Sequence, residues 1–179
     1  MLSSLFVLLL AACALISDLL TDKISNAISL CGALAGFSLA AGGAVLCGSS
    51  FPDAALRALA AVLFALAGAA VPFVFGFPLF RFRMIGAGDV KLLMAVGVLT
   101  GPIQILKFMA VSIAFGGVIA ALLMIFVTGV RPRLIRFASY IKMAEMTGSA
   151  PPYRDSKEAE FHFTVPVFMA AVLLFAGCF

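Results

Sequence analysis

The stretch Gly86-Ala87-Gly88-Asp89-Val90-Lys91-Leu92-Leu93 places a carboxylate between two glycines and the start of a long apolar run. An acid at the edge of a hydrophobic segment is costly to remove from water, so it indicates a functional site when a partner group can be named. Asp18 is the candidate partner, because it closes the apolar run that starts the sequence. These two acids divide the chain into hydrophobic segments joined by short polar junctions.

The composition is that of an integral membrane protein. The 179 residues are 64% hydrophobic and 11% charged, whereas a soluble domain is usually about 25% charged. The formal net charge of +4 is spread between apolar runs and forms no dense basic face, so we expect the lipid bilayer as a partner and no nucleic acid.

The cysteines suggest neither metal nor redox chemistry. No C-x-x-C pair is present, so we expect no metal and no cofactor. We expect all four to be small buried hydrophobes, at Cys13, Cys31, Cys47 and Cys178.

The apolar runs predict an all-α fold, a polytopic membrane bundle of about six transmembrane helices that forms a single domain over residues 1–179. The run at 27–46 is rich in glycines that let helices approach closely, and prolines predict a kink or an early helix end in the run at 54–80 and a break in the run at 161–179. The residues concerned are Gly32, Gly36, Gly42 and Gly43 in the first run, Pro72 and Pro78 in the second, and Pro166 in the third.

The run at 90–130 is too long for one crossing, because about 41 helical residues extend roughly 60 Å, twice the hydrocarbon thickness. Gly101-Pro102 is the predicted break. The first arm, up to Thr100, then has about 11 residues and a length of roughly 16 Å, which places Asp89 somewhat below the membrane surface. The following stretch at 131–146 has the periodicity of a helix lying in the interface.

An alternative for the first run is a lipoprotein signal, since Leu10-Ala11-Ala12-Cys13 resembles a processing box. A secretory signal needs a positively charged start, and no Lys or Arg precedes Lys23. We therefore interpret this run as the first transmembrane helix.

The positive charges predict the orientation. Ten of the 12 Lys and Arg residues lie in the junctions at 18–26, 81–91 and 131–160, while Arg57 and Lys107 lie on the other side. Cytoplasmic loops carry the excess of Lys and Arg. Both termini are then outside, and both acids face the cytoplasm.

Two carboxyl groups at one site favour peptide hydrolysis. One ionised Asp takes a proton from water, and one protonated Asp polarises the scissile carbonyl and then protonates the leaving nitrogen. Each acid alone has a simpler explanation: Asp89 caps a helix, and Asp18 marks the end of a crossing. Asp22 competes with Asp18 for the same role.

Residues near the acids have expected roles of their own. Gly86 and Gly88 would adopt positive φ and let a substrate strand approach. Lys91 would balance charge or extend to the interface. His162, the only histidine, has an expected interfacial role.

At these motifs the chain resembles the type IV prepilin peptidases, in the short form without a methyltransferase domain and of the tight-adherence pilus type. Gly86-Ala87-Gly88-Asp89-Val90-Lys91-Leu92 is similar to the family's G-x-G-D-x-K-L motif, and Asp18 with Lys23-Ile24 and Asn26 is similar to its first motif, although Ser25 replaces a usual proline. The resemblance implies that Asp18 and Asp89, and not Asp22, are catalytic. Substrate-binding or supporting roles are expected for Gly86, Gly88, Lys91, Lys23 and Asn26.

The resemblance also implies a function. The protein would be a multi-pass protein of the bacterial inner membrane whose active site faces the cytoplasm, and it would cut a prepilin or pseudopilin precursor after a glycine at the end of its basic leader. Methyltransferase activity is not expected, because the paired C-x-x-C elements of the longer enzymes are absent. A homodimer is left open.

Two alternatives remain open at this point. The chain could be a non-enzymatic membrane protein, such as a secretion or pilus assembly subunit or a small proton-coupled transporter, whose acids carry protons or form salt bridges. It could also be a presenilin-type protease, which shares the G-x-G-D motif, but those chains are larger and place their first aspartate within a later helix.

Overall fold

The structure, a computed structural model, describes residues 2–21, 24–46, 51–81, 85–123, 125 and 162–178, and these residues are almost entirely helical. The all-helical prediction is confirmed. Six α-helices follow one another through the described ranges: α1 (Leu2–Thr21), α2 (Asn26–Leu46), α3 (Phe51–Arg81), α4 (Ala87–Thr100), α5 (Pro102–Leu123) and α6 (Thr164–Phe175).

Four of these helices, α1, α2, α3 and α5, are long and apolar enough to cross a membrane. Many large apolar side chains on them point outward, among them Leu9, Leu63 and Phe75, as expected for helices that face lipid. α4 has 14 residues and α6 has 12, so at about 1.5 Å per residue each is shorter than the roughly 30 Å hydrocarbon layer.

α4 is the central helix of the bundle. It contacts α1, α2, α3 and α5, and most of its residues after Lys91 are buried, as expected for a segment that is apolar on all sides. The main core cluster joins α4 to α1, α5 and α6. The buried residues of α4 are Val90, Leu92, Leu93, Ala95, Val96, Gly97 and Val98.

Glycines set the closest helix crossings. The backbones of Gly68 on α3 and Gly97 on α4 are in direct contact, so that a Cβ on either one would overlap the carbonyl group of the other. On α2, Gly32 packs against Leu10 and Gly36 packs against Val98. Gly42 and Gly43 were also predicted to allow close helix contact, and this prediction is wrong, because a Cβ on either would meet nothing within 4 Å.

The break at Gly101-Pro102 is confirmed. α4 ends at Thr100 and α5 begins at Pro102, and Gly101 between them has a φ of 82°, a conformation that glycine adopts readily. A Cβ at Gly101 would also overlap the ring of Phe64. α4 begins at Ala87, so the helical arm is three residues longer than expected and includes Asp89.

Of the two outcomes predicted for Pro72 and Pro78, a kink or an early helix end, the early end is wrong. α3 continues through Pro72 and Pro78, because neighbouring helices and local adjustments let a membrane helix accommodate proline. Pro166 is the third residue of α6, where the missing N–H has no intrahelical partner to lose. It therefore begins the helix and does not break it.

The prediction that the cysteines are buried is wrong for Cys13, Cys31 and Cys178, which are exposed on the bundle. Cys13 and Cys31 lie on the outward faces of α1 and α2, and Cys178 follows the end of α6. Cys47 and the predicted interfacial helix at 131–146 lie outside the described residues.

Candidate active site

Asp18 lies in the last turn of α1 on the face that packs into the core. The buried residues of this helix are Val7, Leu10, Ala11, Ala14 and Asp18, and their spacing of three or four residues places them on one side. Asp18 is only 9% exposed. A carboxyl group at such a position needs hydrogen-bond partners, because burial without them costs several kcal/mol.

The start of α6 supplies those partners. Thr164 Oγ1 donates a hydrogen bond to Asp18 Oδ2 at 2.6 Å, and His162 Nδ1 lies 3.1 Å from the same oxygen. Thr164 is almost fully buried, at 1% exposure. From the sequence we expected an interfacial role for His162 and did not predict its contact with Asp18.

Asp89 is the third residue of α4 and reaches back over the helix start. Its Oδ2 accepts the backbone N–H of Gly86 at 3.3 Å, which is the helix-capping arrangement proposed as the simpler explanation for this acid. Capping does not prevent a further role, because the carboxyl group retains a second oxygen.

The electrostatics of Asp89 depart from those of an ordinary helix cap. Burial raises the pKa of this carboxyl group to about 6; the hydrogen bond from Gly86 opposes the rise, and the neighbouring Asp18 carboxyl group adds to it. A raised pKa caused by burial together with a second acid is typical of catalytic carboxyl pairs.

Three further observations bring the two acid motifs to one end of the bundle. Ile24, which follows α1, packs so closely on α4 that a Cβ at Gly88 would lie 3.1 Å from its Cβ. Lys91 Nζ donates a hydrogen bond to Asn26 Oδ1 at 2.9 Å. α1 and α4 also share the main core cluster. The end of α1, the start of α2 and the start of α4 therefore meet.

The expectation of positive φ at Gly86 and Gly88 is wrong. Gly86 is extended, with φ −70° and ψ 148°, and Gly88 lies within α4. The closely packed side chain of Ile24, and not an unusual backbone conformation, is what disfavours a larger residue at position 88. The positive-φ glycines of the described chain are Gly101 and Gly177.

Among the other predicted site residues, Asn26 and Lys91 are brought together, whereas Lys23 and the competing acid Asp22 lie outside the described residues.

Sequence reasoning missed Thr164 entirely, since a threonine before an apolar run carries no distinctive signal. In the described part of the chain, no three His, Cys, Asp or Glu side chains come together as metal ligands.

Comparison with known proteins adds one finding. A family model described as the type IV leader peptidase family matches residues 4–128. This match includes Asp18, Asn26, Asp89 and Lys91, and it ends before α6 begins. No curated protein and no solved structure matches the chain.

Proposed function

The chain belongs to the type IV leader peptidase family, and from this premise we propose that it is an aspartic endopeptidase of the G-x-G-D type that uses Asp18, Asp89 and one water molecule. The observation that carries the proposal is the meeting of the two acid motifs at one end of the bundle, where burial, with a smaller contribution from the Asp18 carboxyl group, raises the pKa of Asp89 to about 6. A pair that shares one proton is the arrangement that this chemistry needs.

In the proposed reaction, the ionised carboxyl group takes a proton from water as the water oxygen attacks the scissile carbonyl. The protonated carboxyl group donates a hydrogen bond to the carbonyl oxygen, which becomes negatively charged in the tetrahedral intermediate. A proton is then delivered to the leaving nitrogen, the C–N bond breaks, and the two acids again share a single proton. Because burial raises the pKa of Asp89, this residue carries the shared proton in the resting pair.

The proposed substrate is a type IV prepilin or a prepilin-like protein. Its hydrophobic helix would pack against the exposed apolar side chains of the bundle, and its basic leader would lie beside the acids at the junction between the membrane and water. Four candidate spans and the family support a location in the bacterial inner membrane. The excess of Lys and Arg in the junctions near both acids supports a site on the cytoplasmic side.

The proposal is tested by co-expressing a prepilin with the wild type and with three variants: Asp18→Asn, Asp89→Asn and Asp22→Asn. Each substitution removes one carboxylate with little change in size. We expect full-length precursor to accumulate with the first two variants and normal processing with Asp22→Asn. Membrane insertion is checked by fractionation and by the yield of folded protein in detergent.

Asp53→Asn is the matched control for loss of an acid, since Asp53 lies in the first turn of α3, away from the meeting point of the two motifs. Processing by Asp18→Asn or by Asp89→Asn would exclude that residue from the catalytic pair. A wild-type protein that leaves prepilins uncut would favour the non-enzymatic alternative.

A further inference from the structure

The carboxyl group of Asp18 is held from one side by two residues at the start of α6. Thr164 Oγ1, 2.6 Å away, and His162 Nδ1, 3.1 Å away, both contact the same atom, Oδ2. These residues lie 146 and 144 positions from Asp18 in the sequence. They also lie beyond the part of the chain that the family model matches.

We propose that Thr164 and His162 are positioning residues for Asp18, which hold Oδ2 and thereby present Oδ1 to the attacking water. This inference rests on the proposed peptidase function and deepens it. It assigns the general-base role to Asp18 and the general-acid role to Asp89.

The geometry distinguishes the two oxygens of Asp18. Two contacts to one oxygen fix the rotation of the carboxyl plane, since the group can turn only by losing both. None of the hydrogen bonds between described residues goes to Oδ1. The free oxygen of a fixed carboxylate has a defined direction, and a general base needs such a direction to take a proton from water.

The distances also suit an ionised Asp18. Bonds of the type O–H···O⁻ are usually about 2.5 to 2.7 Å long and are stronger than those between neutral groups. The Thr164 bond, at 2.6 Å, lies in this range. The bond that Asp89 accepts from Gly86, by contrast, is longer, at 3.3 Å.

A purely structural role, in which the bond simply joins α6 to α1, explains the arrangement less well. These two helices already share the main core cluster, so apolar packing holds them together without a polar contact. The buried residues that join them are Val7, Ala11 and Ala14 on α1 and Val167, Ala170 and Ala171 on α6. A valine in place of Thr164 would keep the shape of that packing, so its effect reports on the hydroxyl group alone.

The test measures kcat and KM for prepilin cleavage by purified, reconstituted variants, together with their melting temperatures. Thr164→Val removes the hydroxyl group, and Thr164→Ser keeps it. Because a misplacement of a catalytic group by about 1 Å can cost roughly 100-fold in rate, we expect Thr164→Val to lower kcat roughly 10- to 100-fold. KM should stay close to that of the wild type, and any fall in melting temperature should be too small to account for the loss in kcat. Thr164→Ser should retain most of the activity.

His162 is tested by the same logic. His162→Asn keeps a nitrogen donor near the position of Nδ1 and should retain more activity than His162→Leu, which has none. Thr100→Val is the matched control, because the hydroxyl group of Thr100 donates its hydrogen bond to the carbonyl of Val96 in its own helix. Its kcat should be that of the wild type.

Three results would overturn the inference: wild-type kcat in Thr164→Val, equal losses in Thr164→Val and Thr164→Ser, or a loss of activity that merely follows a lower melting temperature. Asp18→Asn is measured beside these variants. If Asp18→Asn is inactive while Thr164→Val is fully active, only the positioning role fails. If Asp18→Asn still cleaves, the proposed function itself fails.

Discussion

Lys91 Nζ donates a hydrogen bond to Asn26 Oδ1 at 2.9 Å, and this contact joins two sequence motifs that are 65 residues apart. Asn26 begins α2, and Lys91 lies one turn after the start of α4. The bond therefore joins the segment that follows Asp18 to the helix that contains Asp89. We therefore expect Lys91 to support the site through this contact with Asn26, in place of a simple extension to the interface.

Loss of this bond should slow cleavage without abolishing it. We expect Asn26→Leu and Lys91→Met each to lower kcat/KM roughly 3- to 10-fold, because an exposed hydrogen bond to a charged group contributes modestly. Asn26→Asp keeps an acceptor for Lys91 and should retain activity. In a double-mutant cycle, the combined variant should be no worse than either single variant. Fully additive losses would mean that the two side chains act separately.

Asp89 should reduce the stability of the folded protein at neutral pH. Its pKa rises from 3.8 to about 6 on folding, so the folded state binds the proton more tightly than the unfolded state does. The stabilisation of the folded state by the protonated Asp89 carboxyl group is complete below pH 3.8 and is lost as the pH rises through 6. At pH 8 the ionised, half-buried group costs up to about 3 kcal/mol.

Asp89→Asn should therefore melt at a higher temperature than the wild type at pH 8, and the difference should shrink as the pH falls to 4. Circular dichroism in detergent measures both curves, with Asp53→Asn as the control. A difference that is independent of pH would show that Asp89 keeps an ordinary pKa in the folded protein.

The same carboxyl group should limit activity on the alkaline side. If Asp89 supplies the proton of the pair, kcat/KM should fall as the pH rises above an apparent value near 6 in the free enzyme. The apparent value belongs to the pair of acids. The measurement is prepilin cleavage from pH 5 to 9 at constant ionic strength. A profile without an alkaline decline would contradict the assignment of Asp89 as the acid.

The crossing of α3 and α4 at Gly68 and Gly97 should not accept a side chain. A Cβ at position 97 would overlap the carbonyl of Gly68, and backbone atoms yield less readily than the end of a flexible side chain. We expect Gly97→Ala to destabilise the protein by about 1 to 3 kcal/mol or more, seen as a lower melting temperature and a lower yield of folded protein.

Gly43→Ala is the matched control for this substitution. It makes the same chemical change at a helical glycine where a Cβ meets nothing within 4 Å. Alanine is the better helix former by about 0.5 to 1 kcal/mol, so this variant should be as stable as the wild type or slightly more stable. Equal effects at the two positions would show that the α3–α4 contact is not tight in solution.

The sequence alone determined the all-helical membrane class, the break at Gly101-Pro102 and the positions of Asp18 and Asp89 at the edges of apolar runs. These features follow from local properties. A bilayer requires each spanning segment to satisfy its own backbone hydrogen bonds, so long apolar runs predict helices. Proline and glycine interrupt such runs through their own backbone chemistry.

Only the tertiary structure decided which helix faces meet. Between Lys91 and Thr100, α4 has apolar residues on every side, so its periodicity does not indicate which helices it contacts. Its close contact with α3 depends on a pair of glycines, Gly68 and Gly97, that no local pattern connects. Thr164 reaches Asp18 across 146 residues. One hydroxyl group before an apolar run does not reveal its acceptor in the sequence, because that acceptor is set by the packing of α1 against α6.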